Sequence, residues 1–445
     1  MIDEFKNVKN VHFIGIGGIG VSAIARMFLA EGKKVSGSDV VESEITKALG
    51  KLGAKIFIGQ KSENLPKNTD LVIYTIAITK ENPEFAEAVK RKIPKKSYPE
   101  ILEIVSKNKY TIAVAGTHGK TTTTAMIAKI LMDSGKDPMV IVGSLLDADK
   151  MRNERGQMRT NFISGRSKYL VVEACEYRRS FLHIHPTILV ITNIDNDHLD
   201  YYKDLKSIQK AFSEFVAKVP KNGYLVTNVT DKIIRPAIKS AKCKVVDYAQ
   251  FKVDNLKLKV YGSHNRMNAE AGLAVAHILE IDNKKAKSSL EGFSGTWRRF
   301  DFKGKTKGGA LVYDDYGHHP TEIGATLYGA REAFPDKKIT LVFQPHLYSR
   351  TKEHFDEFVK VLAHADSIIL APIYGAREVF DASVSSQKLA EKVSTRNKNV
   401  HYIEKFEDIV IELNKTKNKK DLILVTGAGN INEVSEKLVH KVKSL

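Results

Sequence analysis

The stretch YTIAVAGTHGKTTTT, residues 110–124, decides how the chain is read. Tyr110 to Val114 is an apolar run with the length of a buried strand. Ala115 to Gly119 form a small-residue turn, and Lys120 with its threonines opens a helix expected to run to about Ser134. A strand, a glycine-containing turn and a helix N-terminus make a phosphate cradle, in which backbone N–H groups point inward and the helix dipole favours an anion. Lys120 then reaches the β- and γ-phosphates of a nucleotide, and the Thr121 hydroxyl sits on Mg²⁺. The wording departs from the commoner G-x-x-x-x-G-K loop, because Val114 occupies the first glycine position.

Upstream, NVHFIGIGGIG (10–20) gives a strand and a glycine turn, a helix follows from about Val21 to Glu31, and a second strand, KVSGSD, ends at Asp39. This βαβ unit carries G-x-G-G-x-G at Gly15, Gly17, Gly18 and Gly20, with the acidic Asp39 ~20 residues on, as a dinucleotide fold would have it. Alone, the motif fits NAD, FAD or any diphosphate laid on a helix N-terminus. AKIFIG (54–59), DLVIYT (70–75) and a helix near Pro83–Lys92 continue the unit to about Lys107.

Downstream, SKYLVVEACE (167–176) is a buried strand ending at Glu173. TILVITNIDNDHLDYY (187–202) is another, ending in Asn193, Asp195, Asp197, His198 and Asp200. Carboxylates and an imidazole at strand ends beside a phosphate loop are placed for a metal, although any one of them alone is as readily a turn cap. GSHNRMNAEAGLAVAHIL (262–279) becomes an amphipathic helix with Asn265 and Asn268 three apart on one face. An Asn amide there either pairs with an adenine edge or caps the helix. After GTWRRF (295–300), four strand–loop–helix repeats start at ALVYDDYGHHPTEI, KITLVFQPHLYSRT, SIILAPIYGAREV and DLILVTGAGNI. They predict a second open parallel sheet, with His318, His346, Arg350 and Arg377 on its strand ends as an anion site.

A chain of 445 residues suggests about three domains at ~150 residues each. Two well-separated cysteines, Cys175 and Cys243, argue against a disulfide framework and fit a reducing cytoplasm. No apolar run approaches the ~18 residues that span a membrane, and the first ten residues lack the apolar core of a secretory signal. The net charge of +18 suits anionic ligands such as ATP and sugar nucleotides. Much of it is scattered lysine, and no aromatic-plus-basic platform marks a nucleic-acid binder.

With these residues located, the sequence resembles the Mur ligases over nearly its whole length. The resemblance rests on HFIGIGGIGVSAIA, GSD, AGTHGKTTTT, VVEACE, NIDNDHLDYY, GSHNRMNAEAGLA, WRRF, DDYGHHPTEI and FQPHLYSRT, in that order. It implies an α/β chain of three domains: a Rossmann-like UDP-sugar-binding domain (1–107), a central P-loop ATPase-like parallel-sheet domain binding ATP (108–295) and a Rossmann-like amino-acid-binding domain (296–445). It also implies ATP-dependent ligation of L-alanine to the lactyl carboxylate of UDP-N-acetylmuramate through an acyl phosphate, a cytoplasmic step of peptidoglycan synthesis. DDYGHHPTE and FQPH-x-Y-S-R-T favour that activity over addition of a preformed peptide to the same sugar nucleotide.

Carried over by motif, Gly116, Thr117, His118, Gly119, Lys120, Thr121 and Thr122 hold ATP, with Lys120, Glu173 and His198 catalytic. Thr121, Glu173 and His198 sit at Mg²⁺. Asn265 and Asn268 lie near adenine, Arg299 near the phosphates and Asp315 near the ribose. Tyr316, His318 and Arg350 face the amino acid. Gly15, Gly17, Gly18, Gly20 and Asp39 hold the UDP part rather than NAD. The chain departs from the usual pattern in two places. EACEYRRSFL puts Cys175, Tyr177, Arg178 and Arg179 where relatives carry acids and small residues, and Leu347 stands where relatives often carry Arg. One of the two arginines is expected either to pair with the substrate in place of that missing cation or to lie in solvent.

Overall fold

The strands are continuous apolar runs, such as VHFI, IAVA, LVV and ILVI, rather than alternating ones, which suits parallel strands covered on both faces. The computed structural model describes residues 2–147, 151, 159–376 and 378–439. Among them the strands fall into three sheets. The chain divides into two compact units, Met1–Lys257 with Met267–Phe293, and Leu258–Arg266 with Ser294–Leu445.

In the first unit, β1 (Asn10–Ile14), β2 (Lys34–Asp39), β3 (Lys55–Ile58), β4 (Leu71–Tyr74) and β5 (Lys95–Ser97) form a parallel sheet in the order β3-β2-β1-β4-β5. The chain leaves β1 in one direction and returns to its other side at β4. The Gly15–Gly20 turn and the helix Ile19–Ala30 therefore begin at the switch point, where ligands of open α/β sheets bind.

The second sheet of this unit holds β6 (Tyr110–Ala115), β7 (Met139–Leu146), β8 (Thr160–Ile163), β9 (Tyr169–Glu173), β10 (Ile188–Ile191), β11 (Tyr224–Thr227) and β12 (Lys244–Asp247). Its order is β12-β11-β10-β6-β9-β7-β8. All pairings are parallel except that of β7 with β8, so the expected parallel sheet carries an antiparallel edge strand. β6 lies between β10 and β9 with Ala115 opposite Ile191 and Val114 opposite Glu173, which brings the ends of all three strands to one place. The helix Lys120–Asp133 follows, buried from Thr121 to Leu131. Gly272 lets the helix Ser263–Ile278 approach Met126 and Ile130. One apolar core runs from Val11, Phe13 and Phe28 through Ala113 and Val172 to Phe212 and Leu225, and each of its valine, leucine and phenylalanine side chains contributes about 1.5–3 kcal/mol on burial.

In the second unit, β13 (Asp301–Lys305), β14 (Leu311–Asp315), β15 (Lys338–Phe343), β16 (Ser367–Leu370), β17 (Val400–Tyr402) and β18 (Asp421–Thr426) run in the order β13-β14-β18-β15-β16-β17. They are parallel except for β13, an antiparallel edge strand. Insertion of β18 between β14 and β15 creates this sheet's switch point.

Candidate active site

The residues after β6 are held by the residues after β10. The amide of Thr117 donates to the Asn193 carbonyl (3.1 Å) and that of His118 to Asn193 Oδ1 (2.9 Å), while Asn193 Nδ2 donates back to the His118 carbonyl (3.0 Å). The Asp195 amide donates to Thr117 Oγ1 (2.8 Å), and Asp195 Oδ2 lies 3.0 Å from His118 Nε2. Asn193 and Asp195, expected on the metal side, thus brace the phosphate loop. The amides of Thr117 and His118 are turned to Asn193 rather than inward.

The first bond of the following helix runs from Thr123 N to the Gly119 carbonyl. The amides of Lys120, Thr121 and Thr122 therefore have no acceptor within the helix and are the donors positioned for an anion. Gly116 (φ 138°) and Gly119 (φ 82°) adopt backbone that other residues rarely take. A Cβ at Gly116 would fall 2.0 Å from Thr192 Oγ1, and one at Gly119 would fall 2.6 Å from Asn268 Oδ1. Asn268 is so placed against the loop.

Lys120 Nζ donates to the carbonyls of Gly116 (2.6 Å) and Thr117 (3.0 Å) and to Glu176 Oε1 (3.0 Å). Burial works against the ammonium charge, but the neighbouring groups, Glu176 foremost, outweigh it and hold the lysine above its ordinary pKa. Thr121 Oγ1 lies 3.0 Å from both oxygens of Glu173, whose Oε2 also accepts from the Gly143 amide (2.7 Å). A hydroxyl beside a carboxylate is a hard-oxygen pair of the kind Mg²⁺ takes. His198 has left-handed backbone (φ 56°) at the start of the helix Leu199–Tyr202. Its Nε2 lies 3.7 Å from Glu176 Oε1 and 3.8 Å from Asp197 Oδ2. Glu176 was not singled out from the sequence. Its nearness to Lys120 comes from the pairing of β6 with β9, and an acid three residues after Glu173 was the only signal for it.

The departures resolve in different ways. Arg178 (φ 50°) and Arg179 (φ 60°) both have left-handed backbone. Arg179 is paired with Glu214. Exposed Arg178 lies over the Tyr177 ring and reaches the Ile76 carbonyl at 3.4 Å. Leu347 is buried, with φ 70°, at the start of the helix Tyr348–Glu353.

In the first sheet, the amides of Gly15 and Ile16 donate to the Ser38 carbonyl (2.9 Å each), and Asp39 Oδ2 accepts from Gly17 N (2.8 Å). Asp39 thereby shapes the glycine turn. A Cβ at Gly20 would strike the Tyr98 ring at 2.6 Å, and Gly18 caps the helix Ile19–Ala30.

In the second unit a row of rings crosses the strand ends. Centroids of Tyr316 and His318 are 5.6 Å apart, of His318 and His346 5.7 Å, and of His346 and Tyr374 5.8 Å. Arg350 Nη1 lies 3.1 Å from His346 Nδ1, so His346 joins the predicted Tyr316, His318 and Arg350 into one group. Tyr374 is an addition that the sequence did not single out. Arg377 and the side chain of Asp200 lie outside the described residues.

Arg299 faces the Tyr316 ring (5.3 Å) and Glu322 (3.6 Å). Asp315 is buried and accepts from Phe300 N, Gly317 N (2.8 Å each) and Thr326 Oγ1 (3.3 Å), a set of contacts that shapes the Tyr316–His318 turn. Asn265 is also buried, and its Nδ2 donates to the Tyr261 carbonyl at 2.7 Å. Arg298, not singled out from the sequence, is buried. Its Nε meets Asp314 (3.2 Å), and Nη1 and Nη2 donate to the carbonyls of Gly429 (3.0 Å) and Gly427 (2.5 Å). Burial outweighs that arginine and pushes the Asp314 carboxyl up to about 6.

Two nucleotide-type turns at sheet switch points, one with a lysine and a carboxylate–hydroxyl pair, define a phosphate-handling α/β protein. The chain belongs to the Mur ligase family. It matches that family's catalytic domain over residues 10–110, its middle domain over 114–260 and its glutamate ligase domain over 298–429. UDP-N-acetylmuramate–L-alanine ligases are similar throughout. That of Clostridium tetani is 42% identical, covering 96% of this chain and 97% of its own, and that of Clostridium kluyveri is 42% identical over 98% of each. Among solved structures, the UDP-N-acetylmuramate–alanine ligase of Thermotoga maritima aligns over 97% of this chain and 98% of its own with a TM-score of 0.81 and 29% identity. A murein peptide ligase from Psychrobacter arcticus shares the fold over 97% and 98%, with a TM-score of 0.71 and 23% identity.

Proposed function

We propose that the chain ligates L-alanine to the lactyl carboxylate of UDP-N-acetylmuramate at the expense of ATP, a step of peptidoglycan synthesis. The observation that carries this reading is a phosphate loop with Lys120 and the Thr121–Glu173 pair at the ends of β6 and β9, in a chain 42% identical over nearly its whole length to ligases of that name. In the proposed reaction the carboxylate oxygen attacks the γ-phosphorus and ADP leaves. The alanine amine then attacks the acyl carbon, loses a proton, and phosphate departs with the C–O electrons.

Lys120 and the amides of the first helical turn bind the phosphates and stabilise charge as it moves to the β-phosphate oxygens. Thr121 and Glu173 would hold Mg²⁺, with His198 on the same side, and the ion would supply charge withdrawal from the phosphates. The Gly15–Gly20 turn takes the UDP diphosphate, and Asn268 stands at the nucleotide. His318, His346 and Arg350 take the amino acid, with Arg299 near the phosphates. Asn265 and Asp315 keep the adenine and ribose sides as places in the fold, their polar atoms holding the backbone there.

The division into domains 1–107, 108–295 and 296–445 is supported by the three sheets and the three family matches. A cytoplasmic location fits these nucleotide substrates. Among the described residues no helix is long and apolar enough to cross a membrane. The test is competition. With ATP, UDP-N-acetylmuramate and equal L-alanine and tripeptide, mass spectrometry should find the alanyl product. A predominance of the tripeptide adduct would make the chain a peptide-adding ligase instead.

A further inference from the structure

Glu176 is the acid that the reading of the sequence passed over, and it is the one in contact with the phosphate-loop lysine. Its side chain is 3% exposed. Its place is fixed from the backbone, whose carbonyl accepts from the Arg179 amide (2.9 Å) and the Tyr202 hydroxyl (2.5 Å). Oε1 takes the hydrogen bond from Lys120 Nζ at 3.0 Å. Oε2 lies 2.9 Å from the same nitrogen without an aligned bond, and Oε1 is also the oxygen 3.7 Å from His198 Nε2. One carboxylate, placed after β9, thus meets the lysine of the phosphate loop itself and lies beside the imidazole that follows the loop's other neighbouring strand, β10.

We propose that Glu176 is a positioning residue for phosphoryl transfer, fixing the Lys120 ammonium and the His198 ring relative to each other. This rests on the ATP-dependent reading of the site. A lysine stem has four rotatable bonds, and the Gly116 and Thr117 carbonyls alone offer it only neutral acceptors. A charged acceptor adds a stronger and more directional contact. The alternative, that Glu176 merely stabilises the fold, is weakened by energetics: a buried ion pair is often neutral or worse for stability than apolar packing of equal volume. A carboxylate beside a triphosphate also repels it, so Glu176 does not serve ground-state nucleotide affinity. The remaining benefit is the placement of the lysine as charge moves, which appears in kcat.

The experiment compares the full-length parent with Glu176→Gln, which keeps the shape and loses the charge. Phosphate release gives kcat, and calorimetry gives the affinity for a non-hydrolysable ATP analogue and, as a check on folding, for UDP-N-acetylmuramate. The expected result is a kcat about tenfold or more lower, with analogue affinity within about twofold of the parent or tighter. In a Lys120→Ala background the same change should cost less than about twofold more, because Glu176 acts through that lysine.

A kcat within about twofold of the parent overturns the proposal. So does loss of analogue affinity in step with kcat, which is the mark of a disturbed loop, and so do additive losses in the double variant. If Glu176→Gln does not bind the sugar nucleotide, Glu176→Asp is measured in its place, and failure of both makes Glu176 a structural residue. A parent that releases no phosphate overturns the activity reading as well, whereas a working parent matched by Glu176→Gln overturns this proposal alone.

Discussion

Arg298→Ala should be the costliest single change in the second unit, and its cost should depend on pH in a definite direction. The guanidinium meets Asp314 and two glycine carbonyls from full burial, and lies over the rings of Trp297 (5.8 Å) and Tyr316 (5.3 Å). Without it, Asp314 is a buried charge with no partner and escapes by taking a proton. At about pH 7.5, protonating a carboxyl whose unfolded pKa is ~3.9 costs ~5 kcal/mol. The parent already bears part of that, because its own carboxyl titrates at about 6. Titration at about 6 instead of ~3.9 corresponds to ~3 kcal/mol, leaving ~2 kcal/mol as the charge part of the loss. The two carbonyls add ~1 kcal/mol each. The total is ~4 kcal/mol, within the ~3–5 kcal/mol typical of breaking a buried pair.

The sign follows from linkage. A carboxyl raised above its unfolded value loses stability as pH rises from ~3.9 to its folded value. The parent should therefore level off above about pH 6, while Arg298→Ala goes on losing stability to about pH 7.5. At about pH 5 both forms hold the proton, and the difference should shrink to ~2 kcal/mol. Urea unfolding followed by the single tryptophan, Trp297, reports from the site itself. Adding Asp314→Asn should remove the pH dependence. A loss below ~1 kcal/mol, or one equal at both pH values, would refute the reasoning.

Lys120→Ala should lower kcat by ~10²-fold or more with the fold intact, and an unchanged kcat would remove this loop from the chemistry. Glu173→Gln and His198→Ala should each raise the Mg²⁺ concentration needed for half-maximal turnover; titration curves that overlay the parent's would end the metal assignment. In the first sheet, burial opposes the Glu84 charge, but hydrogen bonds from His12 (2.9 Å), Ser38 (2.7 Å) and Asn64 (2.8 Å) outweigh it and hold the carboxyl below its usual value. The stability this confers is present above the unfolded value of ~4.3 and is lost as pH falls through the depressed one. Glu84→Gln should accordingly flatten the acid limb of the unfolding-temperature profile, and a limb as steep as the parent's would show that Glu84 does not drive it.

What the sequence revealed was local: strand, turn and helix at 110–133 and again at 10–30, where apolar runs, glycines and helix starts are contiguous. The placement of Glu173 beside the loop needed only a parallel pairing of β9 with β6, and that pairing is present. Roles that depend on distant partners were not legible. Glu176 is 56 positions from Lys120, and Arg298 is 131 from Gly429. Asn193 and Asp195 have the composition of metal ligands, and nothing in that composition showed that they also hold the loop's backbone and His118. Arg179 carries no mark of its pairing with Glu214, which lies on the helix Leu205–Val216. The antiparallel edges at β8 and β13 escaped because four residues (TNFI) do not encode a partner's direction and DFKGK carries no continuous apolar run to mark a strand.

The most direct test of the central claim is phosphate release from ATP and UDP-N-acetylmuramate with each proteinogenic amino acid supplied singly. The account predicts release that requires the sugar nucleotide and is fastest with L-alanine. Glycine should be a poor but measurable substrate, because one methyl group discriminates by only ~1–3 kcal/mol. Release that is indifferent to the sugar nucleotide, or a clear preference for another amino acid over L-alanine, would contradict it.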